Sequence, residues 1–167
     1  MHSIVIMGVA GCGKSSLGGL VAQAAGLPLV EGDDHHSDSN REKMQSGIPL
    51  TDADRDGWLS ALCEQLRAHP SGVVMTCSAL KQAYRTRLRQ AAPDLQFVFM
   101  DISREQAQVR VAARAHAHIF PTALVDSQFA TLESPMGEVG VLRVDALAPL
   151  PLLQAQVAAW LASKEAA

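Results

Sequence analysis

Short apolar runs alternate with longer segments of helical period along most of the chain, and this alternation constrains the fold more than any other feature. The apolar runs have the length of strands and occupy residues 3–7, 27–30, 72–76, 95–100 and 139–144. The helical segments are 14–25, 52–68, 79–91, 104–114 and 150–162. Runs without polar alternation are typical of strands buried on both faces. The pattern predicts an α/β protein of three layers, a parallel sheet of about five strands with helices on both faces.

Length, charge and cysteine content narrow the class of protein. The chain has 167 residues, enough for one core and too few for two ordinary domains, so residues 1–167 are predicted to form a single domain. The net charge of -3 argues against a nucleic-acid partner. No apolar stretch approaches the roughly 20 residues of a membrane span, and no signal-peptide pattern is present. Three cysteines without framework spacing indicate reduced thiols, so we expect a cytoplasmic protein without a membrane partner.

A glycine-rich segment follows the first apolar run. Residues 8–15 read GVAGCGKS and match G-x-x-x-x-G-K-[ST], with a strand predicted before the motif and a helix after it. The glycines let successive backbone N–H groups point at phosphate oxygens, and the helix N-terminus adds its positive end. Lys14 is predicted to reach the β- and γ-phosphates of ATP, and the Ser15 hydroxyl to ligate Mg²⁺. The predicted ATP-binding residues are Gly8, Val9, Ala10, Gly11, Cys12, Gly13, Lys14, Ser15 and Ser16.

An acidic and histidine-rich stretch, LVEGDDHHSDSN at residues 29–40, surrounds the end of the second predicted strand. Because ligands bind at the carboxyl ends of parallel strands, Asp33 and Asp34 should share a cleft with the phosphate loop. The third strand is followed by no acidic residue, so Asp33 is the best candidate to act near Mg²⁺, directly or through water, and at an acceptor hydroxyl. Two alternatives are a solvated loop and a metal site made by Asp33, Asp34, His35 and His36.

The segment 35–46 has almost no apolar face. If it is helical, His36, Asn40 and Lys43 lie on one side at spacings of four and seven residues, and only Met44 could anchor the helix to a core. Such a segment is typical of a polar wall over a cleft.

Several basic residues are candidates for anion binding. Arg55, in TDADR, could hold a substrate carboxylate because its planar guanidinium contacts two oxygens at once, although a surface ion pair would give the same pattern. Lys81 and Arg85 follow the third strand and could bind substrate, or they could belong to a solvated helix face. Arg110 and Arg114 lie one turn apart and could close over the phosphates, or they could simply suit the helix dipole.

The segment after Arg114 reads AHAHIFP and connects these arginines to the next motif. A short polar and alanine-rich connection of this kind is typical of a mobile lid that shields the γ-phosphate from water. We expect the lid at about residues 114–122.

Four segments together resemble the gluconokinase family of small P-loop kinases: MGVAGCGKSS, EGDDHHSDSNREKMQSGIPLTDADRDGWL, CSALKQAYRTRLR and LVDSQFATLESP. The phosphate loop is shared with many NTPases, but the pattern from Gly32 to Leu59 is specific to this family. The resemblance covers nearly the whole chain to about residue 135. It implies ATP-dependent phosphorylation of D-gluconate at the C6 hydroxyl, a nucleoside-monophosphate-kinase-like fold and, commonly, a homodimer.

The resemblance also implies roles for individual residues. Lys14, Asp33, Arg110 and Arg114 would be catalytic, and the acceptor would be held by a helical segment at about residues 33–70 together with residues beyond it. The implied substrate-binding residues are Asp33, His36, Asn40, Arg55, Lys81, Arg85 and His118.

The chain departs from the family pattern at two places. Ser37 stands where the family usually has proline, and the lid reads RAHAHIFP, one residue longer and without the usual glycine. His118 matches the lid histidine in register with the following motif, and His116 is the alternative.

Two rival functions use the same phosphate loop. Shikimate kinase is built on a similar fold for another small carboxylate, but no carboxylate pair separated by one residue is expected at the end of strand two, and its glycine-rich substrate motif is missing. A nucleotide-binding switch is disfavoured because the chain has neither an N-K-x-D motif nor an aspartate after strand three.

Overall fold

The computed structural model describes residues 2–114 and 122–167. Five strands lie in the order β2-β3-β1-β4-β5, and every neighbouring pair is parallel. The strands are β1 Ile4–Met7, β2 Leu29–Glu31, β3 Val74–Thr76, β4 Gln96–Asp101 and β5 Val141–Asp145. The helices are α1 Lys14–Ala25, α2 Asp38–Gln45, α3 Asp52–Ala68, α4 Gln82–Ala91, α5 Arg104–Ala113, α6 Ala123–Thr131 and α7 Leu150–Glu165, and a 3-10 turn covers Gly32–His35. The predicted fold class is confirmed.

Alternate residues of the central strand enter two separate cores. Ile4 and Ile6 of β1 pack with residues of α1, α5 and α7 on one face of the sheet. Val5 and Met7 pack with residues of α3 and α4 on the other face. Because both faces of β1 are covered, the strand has no polar side chain, which explains the continuous apolar run that the sequence shows.

Local capping residues set several helix boundaries. Thr51 and Asp54 form a capping box at the start of α3, and the Ser103 side chain accepts from the backbone N–H of Gln106 at the start of α5. Gly26 ends α1 in the left-handed conformation.

The structure differs from the predicted elements at three places. The segment 35–46 is not one helix, because Ser37 caps α2 and accepts from the backbone N–H of Asn40 at 3.1 Å. Helix α4 begins at Gln82 and not at 79, since Ala79 has a positive φ of 46° that no helix tolerates. Helix α6 was not predicted. Its buried residues are only Leu124 and Val125, too few to produce a clear helical period.

No helix among residues 2–114 and 122–167 is long and apolar enough to cross a membrane.

Candidate functional site

The phosphate loop connects β1 to α1 at the carboxyl end of the sheet. Gly8, Gly11 and Gly13 have positive φ values of 148°, 82° and 97°. A Cβ on Gly8 would lie 2.8 Å from Cys12 Sγ and 2.9 Å from the carbonyl oxygen of Met100, so no other residue fits there. Lys14 Nζ donates to the carbonyls of Gly8 and Val9, each at 3.1 Å. The phosphate loop therefore holds the ammonium group of Lys14 with its own carbonyls.

Residues of the phosphate loop and of the acidic stretch line the same cleft, which has a volume of about 340 Å³. The predicted site residues that line it are Ala10, Gly11, Gly13, Lys14, Ser15, Ser16, Asp33, His36, Arg55 and Arg114. Other lining residues were not proposed as site residues, among them Arg41, Met44, Trp58 and Gln128. Gln128 Oε1 accepts from the backbone N–H of Ala10 at 2.7 Å, so α6 supports the phosphate loop. The sequence carried no signal for that contact because the two residues are 118 positions apart.

A second carboxylate, Glu31, lies beside the phosphate loop. Ser15 Oγ donates to Glu31 Oε2 at 3.0 Å, and Thr76 Oγ1 donates to the same oxygen. Glu31 and Asp33 therefore form a carboxylate pair separated by one residue at the end of β2, and the expectation that no such pair exists was wrong. Gly32, between them, leaves no room for a side chain, since a Cβ there would lie 2.2 Å from the carbonyl oxygen of Thr76.

The oxygen atoms around Ser15 suit Mg²⁺, which prefers hydroxyl, carboxylate and phosphate ligands. Ser15 and Glu31 are in contact, and Asp33 lines the same cleft. By contrast, the described residues form no cluster of three or more His, Cys, Asp or Glu side chains that could hold a metal ion. The alternative of a metal site made by Asp33, Asp34, His35 and His36 is therefore not supported.

His36 is buried against Trp58 at the wall of the cleft. The two rings stack with centroids 4.4 Å apart and planes 13° apart. Trp58 Nε1 donates to the carbonyl of Gly32 at 2.8 Å, which ties the stack to the end of β2. Burial lowers the pKa of His36 to about 4, and the neighbouring Asp33 opposes this shift only in part, so the imidazole is neutral at neutral pH.

Asn40 does not line the cleft. Its side-chain nitrogen lies 3.3 Å from His36 Nδ1 and donates to the carbonyl of Asp54 at 2.8 Å. Lys43, which was predicted on the same face as His36 and Asn40, forms an ion pair with Asp54 at 2.8 Å. The polar face predicted for this segment thus serves mainly to join α2 to α3.

Arg55 lines the cleft and is held by Tyr84. Its Nη1 donates to the Tyr84 hydroxyl at 3.3 Å, and its guanidinium carbon lies 5.7 Å from the centroid of the tyrosine ring. The Tyr84 hydroxyl in turn donates to Asp52, which also accepts from Lys81 Nζ at 2.9 Å. These hydrogen bonds, that of Tyr84 first, lower the pKa of Asp52. Lys81 is therefore engaged at the rim and is not among the residues that line the cleft.

Arg85 is not in the cleft. It is fully buried, and its guanidinium donates to Glu138 at 2.6 Å and to the carbonyls of Ala79, Leu80 and Glu133. Burial alone would raise the pKa of Glu138, but the hydrogen bonds from Arg85 and Arg89 outweigh it and lower the pKa. The structure thus gives Arg85 a different place from the predicted one: it holds the turn after β3, where Ala79 has its positive φ.

The two arginines of α5 occupy different positions. Arg110 donates to the carbonyls of Gly11 and Cys12 at 3.3 Å and to that of Ala146 at 3.0 Å, so it supports the back of the phosphate loop. Arg114 ends α5 and lines the cleft. Most of the predicted lid, including His116 and His118, lies outside the described residues.

Comparison with known proteins gives the same family at sequence and structure level. A family model described as an AAA domain matches residues 4–135. The gluconokinase of Gluconobacter oxydans is 44% identical over 146 residues, which cover 84% of this chain and 80% of that protein. The thermosensitive gluconokinase of Escherichia coli is 38% identical over 149 residues, covering 86% of this chain and 79% of the relative. The chain belongs to the gluconokinase family.

A solved structure supports this membership. The crystal structure of a gluconokinase from Sinorhizobium meliloti superposes with a TM-score of 0.86 at 43% identity, over 98% of this chain and 97% of that one. The family resemblance read from the sequence is thereby confirmed. The chain is a kinase of the P-loop type, and the parallel sheet, the phosphate loop and the cleft described above are those of a gluconokinase-family protein.

Proposed function

We propose that this gluconokinase-family kinase transfers the γ-phosphoryl group of ATP to the C6 hydroxyl of D-gluconate, giving 6-phospho-D-gluconate and ADP. One observation carries the proposal: a phosphate loop, a carboxylate and a guanidinium line the same cleft, in Lys14, Asp33 and Arg55. Transfer to an anionic sugar acid needs all three groups, because the donor phosphates, the attacking hydroxyl and the acceptor carboxylate must be held together.

The loop residues hold ATP. Backbone N–H groups of residues 8–16 and the positive end of α1 bind the phosphates, and Lys14 neutralises charge on the transferred group. Ser15, supported by Glu31, and Asp33 would hold Mg²⁺. When bound, Mg²⁺ supplies positive charge to the β- and γ-phosphate oxygens. Arg114, at the wall of the cleft, is the second cation that would face the phosphates.

Asp33 orients the acceptor. The C6 oxygen forms a bond to the γ-phosphorus while the bond from that phosphorus to the bridging oxygen of ADP breaks, and the hydroxyl proton passes to the Asp33 carboxylate. Because the transition state of phosphoryl transfer is loose, correct placement of the hydroxyl contributes more than the basicity of Asp33. Arg55 binds the gluconate carboxylate with two N–H donors, and His36 binds a hydroxyl.

The resemblance to the family further supports a substrate-binding segment at about residues 33–70, a lid at about 114–122, a homodimer and a cytoplasmic location. The segment 33–70 lines the described cleft with Asp33, His36, Arg55 and Trp58, among other residues.

An acceptor panel tests the proposal. D-gluconate, related sugar acids, shikimate and nucleoside monophosphates are offered with MgATP, and ADP release is followed in a coupled assay. We expect turnover with gluconate, formation of a phosphate monoester at C6 by ³¹P NMR, and no turnover by the Lys14→Ala variant. Preferred turnover of shikimate or of a nucleoside monophosphate, or nucleotide binding without any transfer, would overturn the proposal.

A further inference from the structure

We propose that Asn40 is a positioning residue that holds His36 in the tautomer with its proton on Nε2, so that His36 acts as a hydrogen-bond donor to a substrate oxygen. The two side chains are both buried, and only His36 reaches the cleft. The tautomer follows from this chain's own contacts. Only the nature of the oxygen, a hydroxyl of a sugar acid, rests on the proposed function.

The orientation of the Asn40 amide is decided by its second partner. The side-chain nitrogen of Asn40 lies 2.8 Å from the backbone carbonyl oxygen of Asp54, an atom that can only accept a hydrogen bond. If the amide were turned over, two oxygens would face each other at that distance. The amide nitrogen therefore faces both Asp54 and His36, and it has two hydrogens to donate.

The same nitrogen fixes the histidine ring. It lies 3.3 Å from His36 Nδ1, and because an amide nitrogen can only donate a hydrogen bond, Nδ1 must be the acceptor. A neutral imidazole that accepts at Nδ1 carries its proton on Nε2. Burial of the ring disfavours the charged form, in which Nδ1 would also be a donor and would meet the Asn40 hydrogens.

Neighbouring contacts keep this arrangement in place. Trp58 stacks on the imidazole and is itself tied to Gly32, and this contact opposes a ring flip that would move Nδ1 away from Asn40. Asp54 is fixed by the capping box with Thr51 and by the ion pair with Lys43, so the carbonyl that orients Asn40 is fixed too. The device spans three elements: the turn after β2, helix α2 and the start of α3.

The other ring nitrogen opens to the cleft. Gln96 Oε1 is the one buried side-chain polar atom without a hydrogen-bond partner in the described part of the chain. His36 Nε2 has no hydrogen bond to a described residue and is not among such buried atoms, so it is accessible and not sealed in the core. His36 lines the cleft together with Asp33, the one acidic side chain among its described lining residues. A donor at Nε2 cannot accept the proton of the attacking hydroxyl, so proton acceptance falls to Asp33, and His36 offers its N–H to an oxygen lone pair of the acceptor.

Nuclear magnetic resonance tests the tautomer without substrate. Two-bond ¹H–¹⁵N spectra of the ¹⁵N-histidine-labelled enzyme separate Nε2–H, Nδ1–H and charged rings, and His36 among the six histidines is assigned by the signals lost in His36→Gln. We expect His36 to be neutral with Nε2–H at pH 7.5. An Nδ1–H or charged ring in the wild-type enzyme would overturn the proposal, whatever the acceptor specificity proves to be.

Substitution of Asn40 tests the positioning role. In Asn40→Asp a carboxylate faces Nδ1, which should move the proton to Nδ1 or charge the ring, and should raise the gluconate KM about 10-fold while the ATP KM stays within about 2-fold. Ser39→Asp, on the exposed side of α2, is the matched control for added charge and should change neither constant by more than about 2-fold. Equal effects of the two variants would contradict the proposal.

A rescue experiment separates positioning from folding. His36→Gln carries its own amide N–H donor, which does not depend on a tautomer, so adding Asn40→Asp to it should raise the gluconate KM by less than about 3-fold. An unreduced effect in this background would show that Asn40 acts through the fold and would overturn the proposal. If Asn40→Asp melts early because its carboxylate faces the Asp54 carbonyl, Asn40→Ala removes both hydrogen bonds without repulsion. It should give a mixed tautomer signal, and an unchanged Nε2–H signal would be the contrary result.

Discussion

The two halves of the cleft are built in different ways. The phosphate loop, residues 8–16, binds through its backbone, and Lys14 is held by the loop's own carbonyls. The acceptor wall, residues 32–58, binds through side chains that other side chains hold in place: Asn40 and Trp58 hold His36, and Tyr84 holds Arg55. The groups that bind phosphate belong to one continuous segment, which Gln128 and Arg110 support from outside. The wall is assembled from separate elements, as in the Arg55–Tyr84 pair, whose members are 29 positions apart.

This difference predicts two kinds of mutational effect. A change in the loop should abolish transfer to every acceptor, because each acceptor uses the same phosphoryl group. A change in the wall should be graded and selective, because it alters one contact to the acceptor and leaves ATP binding intact. The comparison fails if substitutions in the wall weaken the binding of ATP and the binding of gluconate equally.

The largest effect is expected at Lys14. Lys14→Ala should lower kcat/KM by about 10³–10⁵-fold, the range known for cations on a transferred phosphoryl group. The melting temperature should stay within a few degrees of the wild type, since the lysine ammonium contacts only the loop itself, through the carbonyls of Gly8 and Val9 and the sulfur of Cys12. Steady-state kinetics and a thermal melt check both statements. A variant that keeps its turnover with an unchanged melting curve would remove the loop lysine from the mechanism.

A smaller and selective effect is expected at Arg55. Arg55→Lys loses the planar pair of donors, so gluconate binding should weaken by about 1.5–3 kcal/mol, the usual contribution of a hydrogen bond to a charged group, mainly in the gluconate KM. The ATP KM should be nearly unchanged. Arg87→Lys is the matched control, because Arg87 forms an ion pair with the exposed Asp56 at 2.7 Å. This substitution should change the free energy of gluconate binding by less than about 1 kcal/mol. An unmoved gluconate KM in Arg55→Lys would make Arg55 a structural residue.

Much of the fold was predictable because short segments of the sequence indicate the strands, the helix starts and the phosphate loop. The five strands appear as apolar runs, and the capping box of α3 appears as Thr51 and Asp54. The phosphate loop follows from its glycines and from the strand and helix that flank it. Helix α6 was missed because a nine-residue helix with two buried side chains has almost no period to read.

The acceptor wall was less predictable, because side chains of the same type can be placed in different ways. Arg85 and Arg55 are both basic residues near the same edge of the sheet, yet Arg85 is fully buried with Glu138 and Arg55 lines the cleft. No spacing rule separates them, since the partner of Arg85 is 53 positions away. Asn40 was predicted to contact substrate, and only the Asp54 carbonyl places it behind His36. Glu31 was overlooked although it stands two residues before Asp33 at the end of a strand.

The free energy of unfolding should depend on pH because the acceptor wall buries His36. Since burial lowers the pKa of His36 to about 4 in the folded protein from its ordinary value of 6.5, the unfolded chain binds the proton more tightly. The contribution of neutral His36 is therefore fully present above pH 6.5 and is lost as the pH falls from 6.5 towards 4, by on the order of 1–3 kcal/mol. Urea unfolding of the wild type and of His36→Gln over this range measures it. Parallel pH profiles for the two proteins would contradict the buried, neutral histidine.

The smallest effect is expected at Tyr84. It tests whether residues of the acceptor wall depend on the side chains that hold them in place. Tyr84→Phe keeps the ring under the Arg55 guanidinium but removes the hydroxyl that accepts from Arg55 and donates to Asp52. Because the hydroxyl only orients Arg55 and does not itself hold the acceptor, its loss should raise the gluconate KM about 2–10-fold, with little change in kcat or in the ATP KM. In an Arg55→Lys background the same substitution should have almost no further effect, because the guanidinium that the hydroxyl orients is gone. Additive losses in the double variant would mean that Tyr84 acts independently of Arg55, and Arg55 would then keep its position in the acceptor wall without help from the tyrosine hydroxyl.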